Sequence, residues 1–326
     1  MSTYLRKPRP ADHGDSYDEP LSRPNVETVD DTVRDGDEEP TFFSQWALPT
    51  VLFVLTIFTT LWAGAYQTYQ GPARGPVDFL LADPEALWGG IPFAGALLFI
   101  LTTHELGHYV LSKIHGVSAS LPLFIPGPPH FIGTFGAIIR MRGTDLSRHA
   151  LFDIGVAGPL AGFVVAVAAL VVGLSLSTVV DRTTAFGLHL GEPLLLQVMS
   201  WLVIGTIPPE SDVILHPIGF AAWFGLFVTS LNLLPIGQLD GGHVAYALWG
   251  GRQRAMAFSS VGILLVLGFY GWPGWFLWAF MAGAWGLRHP PVVDPATSLG
   301  RSRTIVGWIA VAVFAMTFAP VPFSFH

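Results

Sequence analysis

Cysteine is absent from the 326 residues. No thiolate is therefore available to bind a metal, attack a substrate or close a disulfide. Charge is scarce as well. Asp, Glu, Lys and Arg make up 12% of the chain, against roughly 25% in soluble domains. Hydrophobic residues reach 51%. This imbalance excludes an ordinary soluble domain and predicts an all-α, polytopic membrane protein. The net charge of −7 belongs mostly to one end, because 11 of the 23 acidic residues precede residue 43. No basic block is long enough to suggest nucleic-acid binding.

Residues 1–43 carry those acids together with Pro, Ser and Arg. So little apolar surface predicts a disordered, acidic, cytoplasmic tail. No apolar stretch follows the early basic residues, so the segment does not read as a signal peptide. Residues 44–326 read as one membrane domain. A spanning helix needs ~20 mostly apolar residues. Seven candidates meet or approach that: 44–66, 88–114, 150–177, 217–237, 257–270, 273–287 and 304–323. The fifth and sixth are short and are split by Gly271-Trp272-Pro273-Gly274, which gives about six to seven transmembrane helices. With the N-terminus cytoplasmic, 14 basic residues fall inside and 2, Arg74 and Arg182, fall outside. Clean alternation of this kind is the signature of positive-inside topology.

The second span contains His104-Glu105-Leu106-Gly107-His108. At ~1.5 Å rise per residue, His104 and His108 stand one turn apart on one helix face. Two imidazole nitrogens so placed can share a tetrahedral zinc ion. Glu105, beside the first of them, can act as general base toward water. Ionisable groups inside an apolar span are costly and usually functional. Zinc chemistry needs a third ligand and an open position. Asp240, in Asn232-Leu233-Leu234-Pro235-Ile236-Gly237-Gln238-Leu239-Asp240-Gly241-Gly242, is the candidate. Taken alone, its Asp-Gly reads rather as a solvent-facing turn than as a ligand. The topology favours a ligand, because the second and fourth spans both run inward and end near the cytoplasmic leaflet.

The pairing of HELGH with a later N-x-x-P-x-x-x-L-D-G resembles the site-2 protease family of intramembrane zinc metalloproteases. The likeness extends to Gly133-Thr134-Phe135-Gly136-Ala137 and to Phe152-Asp153-Ile154-Gly155-Val156-Ala157-Gly158-Pro159-Leu160-Ala161-Gly162, and covers about residues 90–250. The resemblance implies one zinc per chain held by His104, His108 and Asp240. It makes Glu105 the catalytic base and Asn232 a polar residue of the active site. It also implies a three-helix catalytic core over about 88–250, built from the second, third and fourth spans. The activity implied is hydrolysis of peptide bonds in or near transmembrane segments of other membrane proteins, as in regulated intramembrane proteolysis. One departure stands out: many members carry Asn where this chain has Gly162. No insertion between the motif spans is long enough for a PDZ domain.

Residues 117–142 hold Pro122, Pro126, Pro128 and Pro129 and then an apolar run. They read as a membrane-dipping, strand-like segment that could pair with an unwound substrate, or as a plain packing loop. Gly133, Phe135 and Gly136 are its active-site candidates. Asp153 is either an extra ligand or, as expected, a structural hydrogen-bonding group. His243 reads as a neighbour of the metal rather than a ligand. His115, His130, His149, His189, His216 and His289 show no ligand spacing, and the eleven tryptophans suit interfacial belts. G-x-G-D and G-x-S-G motifs of other intramembrane proteases are absent. The alternative reading is a membrane metal-ion transporter, or a metal-binding protein, using the same His/Asp cluster. A transporter needs a second site toward the other leaflet, and no second His/Asp pair is placed there. The expected partners are transmembrane protein substrates and the lipid bilayer, and the expected home is the cell membrane of a prokaryote.

Overall fold

A computed structural model describes residues 43–69, 71, 75–142, 146–181, 188–287, 289 and 292–325. Most of the expected tail, and Arg74, Arg182 and Arg288, lie outside them. The helices are α1 (Leu48–Thr68), α2 (Pro76–Ala82), α3 (Ile91–Ile114), α4 (Arg148–Ser175), α5 (Leu194–Val203), α6 (Pro217–Asn232), α7 (Asp240–Trp249), α8 (Gln253–Tyr270), α9 (Gly274–Trp285) and α10 (Gly300–Thr317). Eight short strands accompany them: β1 (Ser118–Ala119), β2 (Leu123–Pro126), β3 (Thr134–Ile138), β4 (Met141–Arg142), β5 (Thr178–Asp181), β6 (Leu188–Leu190), β7 (Ser211–Ile214) and β8 (Phe323–Phe325). Among the described residues they form two-stranded pairs: β1–β4, β2–β3, β5–β7 and β6–β8.

Among the described residues, four stretches are long and apolar enough to cross a membrane: Gln45–Thr68, Pro84–Ile114, Arg148–Ser175 and Asp240–Tyr270. The chain is a membrane protein with a mostly helical fold. The last stretch is not one rod. Gly250 adopts φ +60°, which breaks it into α7 and α8. α6 has only 16 residues, about 24 Å at 1.5 Å per residue.

α3, α4 and α6 pack pairwise against one another. Small residues set the spacing of this bundle, as in membrane interfaces generally. Gly173 of α4 meets Gly219 of α6 backbone to backbone, and Gly225 of α6 receives Ile100 of α3. Phe93, Leu97, Ile100, Ala166, Leu170, Ala222 and Phe224 fill the core between them.

The segment expected to dip into the membrane folds as the β2–β3 hairpin and lies along α1. The Phe124 ring meets Phe53 at a centroid distance of 4.8 Å. The Thr59 hydroxyl donates to the Gly133 carbonyl at 2.6 Å, and the Gln67 amide donates to the Phe131 carbonyl at 2.7 Å. From Phe53 to Gln67 is about 21 Å of helix, so the hairpin accompanies α1 for most of its length. Gly133 needs its left-handed φ of +76° and its missing side chain, because a Cβ there would strike the Thr59 carbonyl.

Loops at the two ends of the bundle associate separately. At one end, the Arg148 guanidinium donates to the carbonyls of Ala247, Pro295 and Thr297 at 2.7, 3.0 and 2.9 Å. At the other, β8 pairs with β6, and the Trp275 indole donates to the Pro320 carbonyl at 2.7 Å.

Candidate metal centre

His104, Glu105 and His108 are buried on α3. The α3 helix runs uninterrupted through the motif and stops where Gly116 takes φ +70°, the usual glycine-assisted C-terminus. Asp240 arrives by a different route from the one expected. It is not on the helix that carries Asn232. α6 ends at Asn232, and Leu233–Leu239 form an irregular link in which Pro235 lacks an N–H and Gly237 adopts φ +47°. Asp240 then opens α7 as the acid of its first turn, where the helix dipole favours a negative charge. Gly241 and Gly242 allow this sharp return, since a Cβ on either would collide with carbonyls of the link.

Among the described residues, His104, His108 and Asp240 form a group whose donor atoms converge. His104 Nε2 and His108 Nε2 are 3.2 Å apart. Asp240 Oδ2 is 3.4 Å from the first and 3.3 Å from the second. Ligands at ~2.0–2.2 Å around a tetrahedral ion stand roughly 3.3–3.6 Å from each other. The three atoms thus nearly describe one face of such a tetrahedron, and the donor set of two imidazoles and a carboxylate suits zinc. The fourth direction is left without a protein ligand from this group.

The tautomer of His108 follows from geometry. Its Nδ1 lies 2.8 Å from the Ile154 carbonyl. A carbonyl can only accept, so Nδ1 carries the hydrogen and the Nε2 lone pair points at the shared position. The Asn232 side-chain nitrogen stands 3.2 Å from His104 Nε2 and so borders the same space.

α4 is shaped to admit these side chains. Gly155, Gly158 and Gly162 follow at helical spacing on one face. A Cβ on Gly158 would enter the His108 imidazole, one on Gly155 would come within 2.9 Å of His243 Cβ, and one on Gly162 within 3.1 Å of His104 Cβ. Gly107 in turn admits the Ala157 backbone. A side chain at Gly162 would press on His104, a residue of the donor group.

The other candidates fall outside the group. His243 Nδ1 is 2.7 Å from His289 Nε2, and the His289 ring stacks on Tyr246 at 4.4 Å. Asp153 is structural, as expected. Arg303 donates to its two oxygens at 2.8 Å each, and His115 Nε2 stands 2.9 Å from Oδ2. Gly133, Phe135 and Gly136 make no hydrogen bond or ion pair with the donor group among the described residues. They belong to the hairpin, where Gly136 adopts φ +98° and the Phe135 side chain is 72% exposed. Sequence reading missed the Ile154 carbonyl, the histidine-admitting role of the α4 glycines and the His243–His289 contact. Only the glycine spacing left a readable trace.

Peptidase family M50 matches residues 92–269, which include the whole donor group. The probable chloroplastic zinc metalloprotease EGY1 of Arabidopsis thaliana is 30% identical over 308 residues, covering 86% of this chain and 54% of that protein. Its namesake in Oryza sativa subsp. japonica is 29% identical over 309 residues, covering 86% and 52%. The probable chloroplastic zinc metalloprotease EGY2 of Arabidopsis thaliana is 30% identical over 240 residues, covering 72% and 41%. The chain spans about half the length of these relatives. The four apolar stretches support a membrane setting, but these relatives are plant chloroplast proteins and do not support the cell membrane of a prokaryote. No solved structure matches. By its match to the family and by its donor set, this chain belongs to peptidase family M50.

Proposed function

We propose that the chain is an intramembrane zinc metalloprotease that cleaves peptide bonds in or near transmembrane segments of other membrane proteins, in the manner of regulated intramembrane proteolysis. The observation that carries this is the face of three donor atoms, 3.2–3.4 Å apart, built on apolar helices. His104, His108 and Asp240 would hold zinc. Zinc bound there supplies Lewis-acid activation of water and stabilisation of developing negative charge. Glu105, buried next to His104, takes the proton of the attacking water and delivers it to the leaving amine. The Asn232 amide borders the site and would donate to the substrate carbonyl oxygen as it becomes charged. α3, α4 and α6 form the catalytic core.

Substrate presentation falls to the β2–β3 hairpin. A transmembrane helix must unwind before its carbonyls can be attacked, because they are already hydrogen-bonded. The hairpin is a two-stranded sheet lying along a candidate span. Unpaired strand edges are not tolerated in lipid. An outer edge at that depth therefore calls for water or for another strand, and an unwound substrate supplies one by backbone pairing.

The reading includes seven passes, a cytoplasmic N-terminus and a site near the cytoplasmic leaflet. Positive-inside charge supports this, and so does the separate association of loops at the two ends of the bundle. The β6–β8 pairing and the Arg148 contacts with residues 295 and 297 both agree with an outward turn between α8 and α9. The metal-transport alternative calls for a second binding site along a path. Among the described residues one donor group of this kind occurs.

Two variants separate metal binding from catalysis. Glu105→Gln is expected to keep its zinc, measured as metal per purified chain, and to lose cleavage of a membrane-embedded reporter about a hundredfold or more. Asp240→Ala is expected to lose zinc affinity along with cleavage. A Glu105→Gln protein that cleaves at the wild-type rate sinks the reading. Zinc flux into proteoliposomes without any peptide cleavage would favour the transporter.

A further inference from the structure

We infer that Arg303, on the C-terminal helix α10, is a positioning residue for the metal ligand His108, acting through Asp153 and the Ile154 carbonyl. The inference rests on the proposed metal site. It extends the metal centre to a helix that lies beyond the family match of residues 92–269.

The connection is continuous. The Arg303 guanidinium grips Asp153 with two nitrogens, Nε to Oδ1 and the terminal nitrogen to Oδ2, both at 2.8 Å. A two-pronged contact of this kind fixes direction as well as distance. Asp153 also receives His115 Nε2 at 2.9 Å. His115 is the residue that ends α3, two turns beyond His108. Asp153 therefore ties the first turns of α4 to the end of α3 on one side and to α10 on the other. The next residue along α4, Ile154, presents the carbonyl to which His108 Nδ1 donates at 2.8 Å. That hydrogen bond is what turns the His108 Nε2 lone pair toward the donor group. Such outer hydrogen bonds orient a ligand ring and raise its basicity.

The tolerance at this seam is small. Gly107 lets α3 meet the Ala157–Gly158 backbone of α4 directly, and the His108 imidazole lies against Gly158, so α4 and the ligand ring are in contact with little free space between them. A displacement of the start of α4 is passed directly to the Ile154 carbonyl. Arg303 is half exposed and touches neither the donor group nor Glu105, so a role in bond breaking is excluded by position. Its neighbour Arg301 is exposed on the same helix turn and provides a control.

The test uses the full chain in detergent, loaded with cobalt in place of zinc, because cobalt absorption reports the ligand field directly. Arg303→Gln is expected to bind cobalt about tenfold more weakly, with a shifted visible spectrum and unchanged helical content. Arg301→Gln should match the wild type in both. A folded Arg303→Gln protein with wild-type cobalt affinity and spectrum overturns the inference. If that variant does not fold, Arg303→Lys decides. Lysine supplies a point charge without the two-pronged grip, so cobalt binding must weaken there also, and wild-type affinity overturns the inference. His108→Ala separates the two levels of argument. If it binds cobalt as the wild type does, the metal site itself is wrong. If it loses cobalt while both Arg303 variants bind normally, only the positioning role fails.

Discussion

At the scale of single residues, the metal centre depends on atoms that are missing as much as on those present. A methyl group on Gly158 would occupy the space of the His108 imidazole, whose Nδ1 is held by the Ile154 carbonyl at 2.8 Å. Gly158→Ala is therefore expected to lose bound zinc and cleavage together, with the loss read as metal per chain. At Gly162 the same methyl would approach His104 Cβ only to 3.1 Å, a contact relieved by a few tenths of an ångström. Gly162→Ala is expected to retain zinc and lose less than about tenfold in activity. Equal zinc content in the two variants would refute the account of α4 as a cradle for histidines. The motif histidines were legible because a four-residue spacing has one meaning on a helix. The glycines were legible as a pattern but not as partners of particular imidazoles. The Ile154 carbonyl left no trace, since every residue has one. Arg303 and His115 could not be matched to Asp153, because contacts across 150 and 38 residues are set by packing that no local pattern encodes.

At the scale of elements, two pieces carry separable tasks. The β2–β3 hairpin was readable as proline-broken, apolar and strand-like, but its register and its course along α1 were not, since both come from contacts with Phe53, Thr59 and Gln67. Phe135 stands out from this hairpin into open space. If the hairpin receives substrate, Phe135→Ala should raise KM several-fold and leave kcat and zinc content nearly unchanged, measured with a reporter reconstituted in liposomes. A fall in kcat at constant KM would instead assign the ring to the chemical step. The start of α4 is held by another device. The Arg148 backbone N–H donates to Asp294 Oδ1 at 2.9 Å, and this bond, with one from the Thr297 side chain, holds the Asp294 carboxyl below its ordinary range. A lowered folded pKa means stability that is present above the ordinary aspartate value of about 3.9 and is lost as pH falls through the lower value. Asp294→Asn should flatten this acid limb in thermal unfolding scans taken against pH. An unchanged acid limb would remove Asp294 from the set of groups that anchor α4. Asp240 shows how an element boundary misleads. Its convergence with the two histidines was readable from the chain, but its helix was not, because Pro235 and Gly237 end α6 early and hand the acid to α7.

At the scale of the whole molecule, the question is which ends of the helices share a side of the membrane. The chain contains no cysteine, so a single introduced cysteine reports its own position without background. Three exposed positions decide the matter: Glu210 before β7, Tyr270 at the end of α8, and Ala296 between α9 and α10. If α8 and α9 form a hairpin that turns on the outer side, Glu210→Cys and Tyr270→Cys are modified by a membrane-impermeant maleimide from the same side, and Ala296→Cys only from the other. Were residues 257–287 one continuous crossing, Ala296 would move to the side of Glu210. That arrangement would part residues 294–297 from Arg148, although Asp294, Pro295 and Thr297 are all bonded to it. It would likewise part β8 from β6, which pair along Leu188–Leu190. The labelling pattern therefore tests the membrane topology and the packing of the ends of the bundle in one measurement. Modification of Ala296→Cys and Glu210→Cys from the same face would overturn both.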